Sequence, residues 1–175
     1  VSVRQLTELI YNGQEQLPEV TATGSTTGGT AITFRYGLTA VQAAGENEWL
    51  NYVPAFTDAG TYTVYYTASA VNHDSVYGSF EIKIKNASIT GVDAAGYTGI
   101  YDGQSHGIKI TLSGNAGDGE ILYGESEDNC TLTESPVYKN TGSYTVYYTV
   151  TKKNFDTISG SATVAITPAQ LTVTA

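Results

Sequence analysis

Two stretches, Gly60-Thr-Tyr-Thr-Val-Tyr-Tyr-Thr-Ala68 and Gly142-Ser-Tyr-Thr-Val-Tyr-Tyr-Thr-Val150, alternate with a period of two. In an extended chain Tyr62, Val64 and Tyr66 share one side, and Thr61, Thr63, Tyr65 and Thr67 the other. That pattern predicts a half-buried strand in each stretch. In the later half of the chain the extended runs fall at 88–92, 96–101, 107–112, 120–124, 130–137, 144–151 (the second of these stretches) and 160–167. Seven short strands with Gly, Asn and Asp between them predict an all-β sandwich rather than βαβ units. Residues 94–104 and 113–119, rich in Gly, Asn and Asp, read as turns or loops around a short extended piece at 96–101, and no helical period of any length is present. The inward set predicts a core of Ile108, Ile110, Leu112, Ile121, Tyr123, Val146, Tyr148, Val164 and Ile166. Its earlier counterpart is Val20, Ile32, Phe34, Tyr36, Val64, Tyr66, Phe80, Ile82 and Ile84.

The chain spells one unit twice. Tyr62 on Tyr144 gives an offset of 82, which also sets Pro54 on Pro136, Asn72 on Asn154 and Gly78-Ser79 on Gly160-Ser161. Ala87-Ser-Ile-Thr90 then meets Ala169-Gln-Leu-Thr172. Upstream, Tyr11-Asn-Gly-Gln14 meets Tyr101-Asp-Gly-Gln104 at offset 90, and Tyr36-Gly37 meets Tyr123-Gly124 at offset 87. The first unit is therefore eight residues longer, in two steps that read as loop insertions. The expected division is 1–86, 87–167, and 168–175 as the first strand of a further unit. Asn12-Gly13 and Asp102-Gly103 carry the chemistry of a tight turn. Asp58-Ala-Gly-Thr-Tyr62 and Asn140-Thr-Gly-Ser-Tyr144 have the form of a tyrosine corner at the entry to a sandwich strand. Asp58, Gly60, Tyr62, Asn140, Gly142 and Tyr144 are thus expected to be structural.

Composition narrows the function classes. Fourteen tyrosines and nineteen glycines suit an all-β chain, and a formal charge of −9 argues against nucleic acid or an anionic membrane as partner. The acidic excess is even: four Lys/Arg against eight Asp/Glu in 1–86, and four against nine in 87–167. No apolar run approaches the ~18 residues of a membrane span. A single cysteine, Cys130, excludes an internal disulfide and a multi-cysteine metal site. It aligns with Glu48, a position expected to face water.

Gly103-Gln-Ser-His-Gly107 matches the Gly-x-Ser-x-Gly nucleophile elbow in letters only. No helix follows it, no histidine lies downstream, and Gly13-Gln-Glu-Gln-Leu17 at the same place has no serine. Catalysis is not expected. His73 and His106 lack partners at ligand spacing and read as loop or edge residues. The acidic stretch 118–129 could offer oxygen to calcium, but it lacks an EF-hand pattern and reads as a solvated loop. A Lys–Asn isopeptide cross-link is not expected, since the first unit has no lysine before Lys83, and Lys83 and Lys85 share the outward face of their strand. No metal or cofactor site is predicted. Tyr65 and Tyr147 point outward, where aromatic rings pair across strands or stack on a sugar or protein partner.

With Tyr-Asp/Asn-Gly-Gln, Tyr-Gly, Pro-x-Tyr/Phe-x-Asp/Asn-x-Gly-x-Tyr-x-Val-Tyr-Tyr and Gly-Ser-x-x-x-x-Ile-x-x-Ala in order, the chain resembles the tandem bacterial immunoglobulin-like repeats of the YDG/MBG type. The resemblance implies two tandem immunoglobulin-like β-sandwiches of about seven strands each. It also implies a surface or secreted protein, chiefly of Gram-positive bacteria, in which such repeats serve as stalk, spacer or adhesin segment. The expected partners are neighbouring repeats of the same chain, with a glycan or host protein at Tyr65 and Tyr147 as the alternative. A monomer is expected, outside the cell or on the cell wall.

Overall fold

The computed structural model describes residues 1–40 and 49–173, and over these the chain is all-β. It divides into two compact units, Val1–Ala87 and Ser88–Ala175. In unit 1, β1 (Ser2–Gln5) pairs antiparallel with β3 (Val20–Thr23). A second sheet runs in the order β2 (Leu9–Ile10), β6 (Val76–Lys85), β5 (Gly60–Ser69), β4 (Thr33–Gly37), with β2 parallel to β6 and the rest antiparallel.

Unit 2 repeats this plan. β7 (Ala87–Ser88), at the boundary, pairs with β13 (Phe155–Asp156). β8 (Val92–Ala95) pairs with β10 (Lys109–Leu112), as β1 does with β3. The larger sheet runs β11 (Glu120–Gly124), β12 (Gly142–Thr151), β14 (Ile158–Thr167), β9 (Tyr97–Ile100), with β9 parallel to β14. The isolated bridges agree as well: Gln16 pairs with Phe56 and His106 with Tyr138, while Tyr36 pairs with Leu50 and Tyr123 with Leu132. These pairs stand apart by the offsets of 90, 87 and 82 that the sequence carries.

The strands form where one face has something to cover. In β5 and β12 the burial alternates, with Val64 and Val146 fully buried and Tyr66 and Tyr148 at 9% and 8% exposure. The core of unit 1 gathers Tyr36, Val53, Phe56, Val64, Tyr66, Phe80, Ile82 and Ile84. That of unit 2 gathers Ile89, Ile108, Ile110, Ala116, Val146, Tyr148, Val150, Val164 and Ile166. Each core lies between an inner sheet face and the residues facing it, the layout of a sandwich.

Five expectations need correction. The run 88–92 is not one strand, since β7 ends at Ser88 and β8 begins at Val92. Residues 94–104, expected as turns or loops, hold the end of β8 and all of β9. Residues 130–137 form no strand: only Leu132 bridges to Tyr123, and it stays 46% exposed, so the alternating pattern there has no face to bury. Ile32 is half-buried and lines an open groove instead of joining the core. The loop 113–119 contains a 3-10 turn at Gly114–Ala116, whose Ala116 is fully buried. The five-residue step of the insertion overlaps 41–48, outside the described residues.

Candidate functional site

The two repeated motifs are built from contacts local in the chain. Tyr62 Oη donates to the Asp58 carbonyl at 2.7 Å. Tyr144 Oη donates to the Asn140 and Thr141 carbonyls at 3.3 and 3.4 Å. The acceptor is backbone in both, so exchange of Asp for Asn leaves the bond available. Each ring also stacks on the aromatic residue six positions upstream. Phe56 and Tyr62 lie 4.0 Å apart at 19°, and Tyr138 and Tyr144 lie 4.0 Å apart at 5°. Gly60 and Gly142 open β5 and β12 beneath these rings. A Cβ on Gly142 would meet Tyr144 at 2.9 Å, and one on Gly60 would meet Tyr62 at 3.7 Å. In the second corner the ring therefore lies closer over its glycine. Tyr138 Oη donates to Glu125 Oε1 at 2.9 Å, and burial, then Glu125, push the Tyr138 phenol up.

Removing the hydroxyl should therefore cost unequal amounts. Tyr62→Phe is expected to lose about 1 kcal/mol, rising toward ~3 if the Asp58 carbonyl is left dry and unpaired. Tyr144→Phe should lose less, since its two bonds are long and shared. Chemical denaturation of the two variants checks the order, and a Tyr62→Phe variant as stable as the parent would rule out the corner bond as a stabiliser.

The Tyr-Asp/Asn-Gly-Gln motif is an Asx turn. Asn12 Oδ1 accepts the Gln14 N–H at 2.9 Å and Asp102 Oδ1 accepts the Gln104 N–H at 2.8 Å. Gly13 and Gly103 between them have φ of 78° and 77°, where a side chain is strained. Only the carbonyl-type oxygen is used, so Asn and Asp again serve alike. The Gln104 N–H, then His106, hold the Asp102 carboxyl below the usual carboxylate range. His106 is half-buried, with Nε2 3.0 Å from Asp102 Oδ1 and its ring stacked on Tyr97 at 3.6 Å and 8°. Its counterpart Gln16 donates from Nε2 to the Ile10 carbonyl at 3.1 Å. Ser105 beside it is exposed and no helix follows, so the nucleophile-elbow geometry is absent. His73 is exposed, with Nδ1 2.8 Å from the Val71 carbonyl.

The acidic stretch is partly committed. Asp118 pairs with Lys152, which holds its carboxyl below the usual range; the ammonium also donates to the Asn115 carbonyl at 2.6 Å and lies 5.1 Å over the Phe155 ring. Among the described residues no three of His, Cys, Asp and Glu gather as a metal site would require. Cys130 is half-buried rather than water-facing, and burial pushes its thiol up, toward the unreactive protonated form. Glu48, its counterpart, lies outside the described residues. Lys83 donates its backbone N–H to Gln5 Oε1 at 2.8 Å, and Lys85 pairs with Glu8 at 2.7 Å.

Tyr65 and Tyr147 lie on the outer face of their strands, half-buried among neighbours. Tyr65 is flanked by Gly37 and Ser79, and Tyr147 by Gly124 and Ser161. Tyr147 joins Glu127, Ser159 and Ser161 at a shallow cleft. Two further pairs escape sequence reasoning. Tyr66 and Tyr148 lie across Gly78 and Gly160 on the neighbouring strand, and Asn72 and Asn154 share the left-handed conformation at φ of 62° and 69°.

No family model matches the chain, and no curated protein matches it. Among solved structures, the human desmocollin-1 ectodomain overlaps 96% of this chain and 35% of its own, at 9% identity and a TM-score of 0.32. The insect immune protein hemolin overlaps 94% and 51%, at 15% identity and a TM-score of 0.31. The chain thus spans between a third and about half of those proteins.

Proposed function

We propose that this chain is a non-catalytic structural segment of a bacterial cell-surface or secreted protein. Its repeats, of the YDG/MBG immunoglobulin-like type, hold adhesive or enzymatic domains away from the cell. One observation carries the reading. The residues that recur between the units serve the fold itself: the Asx turn, the corner hydroxyl and its ring stack, the glycine under a tyrosine and the left-handed asparagine. A repeat selected for a reaction would keep chemistry in common, whereas these units differ at Asn12 against Asp102, Gln16 against His106 and Glu48 against Cys130. Residues 168–175 are, on this reading, the first strand of a further copy, and Leu171 and Val173 stand 90% and 82% exposed.

The second reading is an adhesion module. It is favoured by the cleft lined by Glu127, Tyr147, Ser159 and Ser161, residue types suited to a sugar. A glycan array and a cell-surface binding assay discriminate. The spacer reading expects no retention at high protein concentration. Retention that Tyr65→Ala or Tyr147→Ala removes, with melting unchanged, would replace it with the adhesion reading.

A further inference from the structure

Asn12 is followed by Gly13, and no other asparagine of the chain precedes a glycine. Glycine has no side chain to shield its nitrogen, so that nitrogen can approach the amide of the residue before it closely. Asn12, Gly13 and Gln14 are all exposed, and water reaches them.

The Asx turn activates the amide. Asn12 Oδ1 accepts the Gln14 N–H at 2.9 Å, and Gly13 between them has φ of 78°. An N–H on that oxygen draws electrons from Cγ. It also stabilises the negative charge that gathers on Oδ1 when Cγ is attacked, as an oxyanion-hole donor does. Both flanks of the turn are pinned. The Tyr11 N–H donates to the Lys85 carbonyl at 2.9 Å, and Gln16 exchanges backbone bonds with Phe56 at 2.8 and 3.0 Å. Gln16 Nε2 adds its bond to the Ile10 carbonyl at 3.1 Å.

Unit 2 carries the same turn with an acid in place of the amide. Asp102 stands at the Asn12 position, its Oδ1 accepts the Gln104 N–H at 2.8 Å, and Gly103 has φ of 77°. A carboxylate therefore holds this turn as an amide does.

We infer that Asn12 is a site of spontaneous deamidation, and that the folded turn directs the product to aspartate. The Gly13 nitrogen attacks Asn12 Cγ and forms the new C–N bond. The Cγ–Nδ2 bond breaks, the Gly13 proton goes with the leaving group, and ammonia departs from a cyclic imide. Water then opens the imide, with no change of oxidation state. Attack at Cγ restores the original main chain and gives aspartate. Attack at the backbone carbonyl gives isoaspartate, with an extra carbon in the main chain. The Gln14 N–H activates Cγ for both the closing and the opening. A longer main chain between the pinned flanks would have to displace one of them, which disfavours isoaspartate. The unit gains a negative charge and keeps its fold. The inference rests on the turn and stands apart from the spacer role.

Prolonged incubation of the whole chain in mildly alkaline buffer made with oxygen-18 water tests it. Peptide mass spectrometry locates the label, and fragmentation tells aspartate from isoaspartate. In the folded chain the label should enter at position 12 before any other asparagine, with aspartate in excess. A sample unfolded in guanidinium chloride controls for sequence alone, and there the ratio should reverse in favour of isoaspartate. Asn12→Asp should melt with the parent and show the same circular dichroism. Conversion confined to the unfolded sample, or isoaspartate as the main product of the folded chain, would overturn the proposal. So would an Asn12→Asp variant that melts well below the parent. The glycan and cell-surface assays do not read this change, so the two ideas fail separately.

Discussion

Ile82→Ala is expected to cost unit 1 about 2–5 kcal/mol, the usual price of truncating a buried isoleucine to alanine. Ile82 has no exposed surface, lies opposite Tyr62 in the ladder, and sits between Phe80 and Ile84 on the inward face of β6. A domain of this length buries only about 60–65% of the surface its unfolded chain exposes, so it has one core and little reserve. Against a typical total of roughly 5–15 kcal/mol, that loss removes a large share of the stability. Lys83→Ala, one residue on and facing out, is the control and should change stability by no more than about 0.5 kcal/mol. Urea melts of both decide the matter. A loss below about 1 kcal/mol at position 82, or equal losses at 82 and 83, would mean that β6 does not alternate between core and solvent.

That alternation is also why so much of the fold was legible. In β5, β6, β12 and β14 one face packs and the other meets water, so burial follows the letters residue by residue. The offsets of 90, 87 and 82 then carried the architecture from one unit to the other, since a repeated ladder needs repeated spacing. The illegible part lies where a residue is buried by its position rather than by its face. Ile89, Ala116, Val53 and Phe56 reach the core from strand ends and loops, where period-two reasoning has nothing to say. Residues 130–137 show the converse: Cys130-Thr-Leu-Thr alternates well, yet Leu132 has no sheet face to cover. Ile32 belongs to the same group: it is half-buried at the wall of an open groove rather than on a packed sheet face.

The motif residues divide in the same way. The corner is readable because Tyr62 bonds a carbonyl four residues back, and the Asx turn because Asn12 and Asp102 bond an N–H two residues on. Both are local, and local chemistry leaves a local signature. The stack of Tyr97 on His106 and the seat of a tyrosine on a glycine join residues nine and twelve positions apart, fixed by strand path and register. Those contacts could be named only once the ladder was known. The outward tyrosines mark a third boundary. Alternation assigned Tyr65 and Tyr147 to the outer face, but it could not tell that they are half-buried there.

Gly160→Val should destabilise unit 2 although valine is the better strand former. Glycine in a strand interior costs conformational entropy, and β-propensity alone would reward the change by up to ~1 kcal/mol. The opposing effect is steric. Gly160 lies directly across from Tyr148, and a Cβ there would come 2.5 Å from the tyrosine Oη and 2.7 Å from Cζ. The ring is 8% exposed and cannot swing aside without giving up its place in the core. Overpacking of that kind costs about 1–3 kcal/mol, so the clash should win and the net change should be a loss. Gly78→Val should behave alike, since a Cβ at Gly78 would meet Tyr66 at 2.6 Å. A double-mutant cycle with Tyr148→Ala isolates the cause. With the ring gone, Gly160→Val should become neutral or stabilising, giving a coupling of about 1–3 kcal/mol. If the two costs simply add, the glycine is there for some reason other than the ring that lies on it.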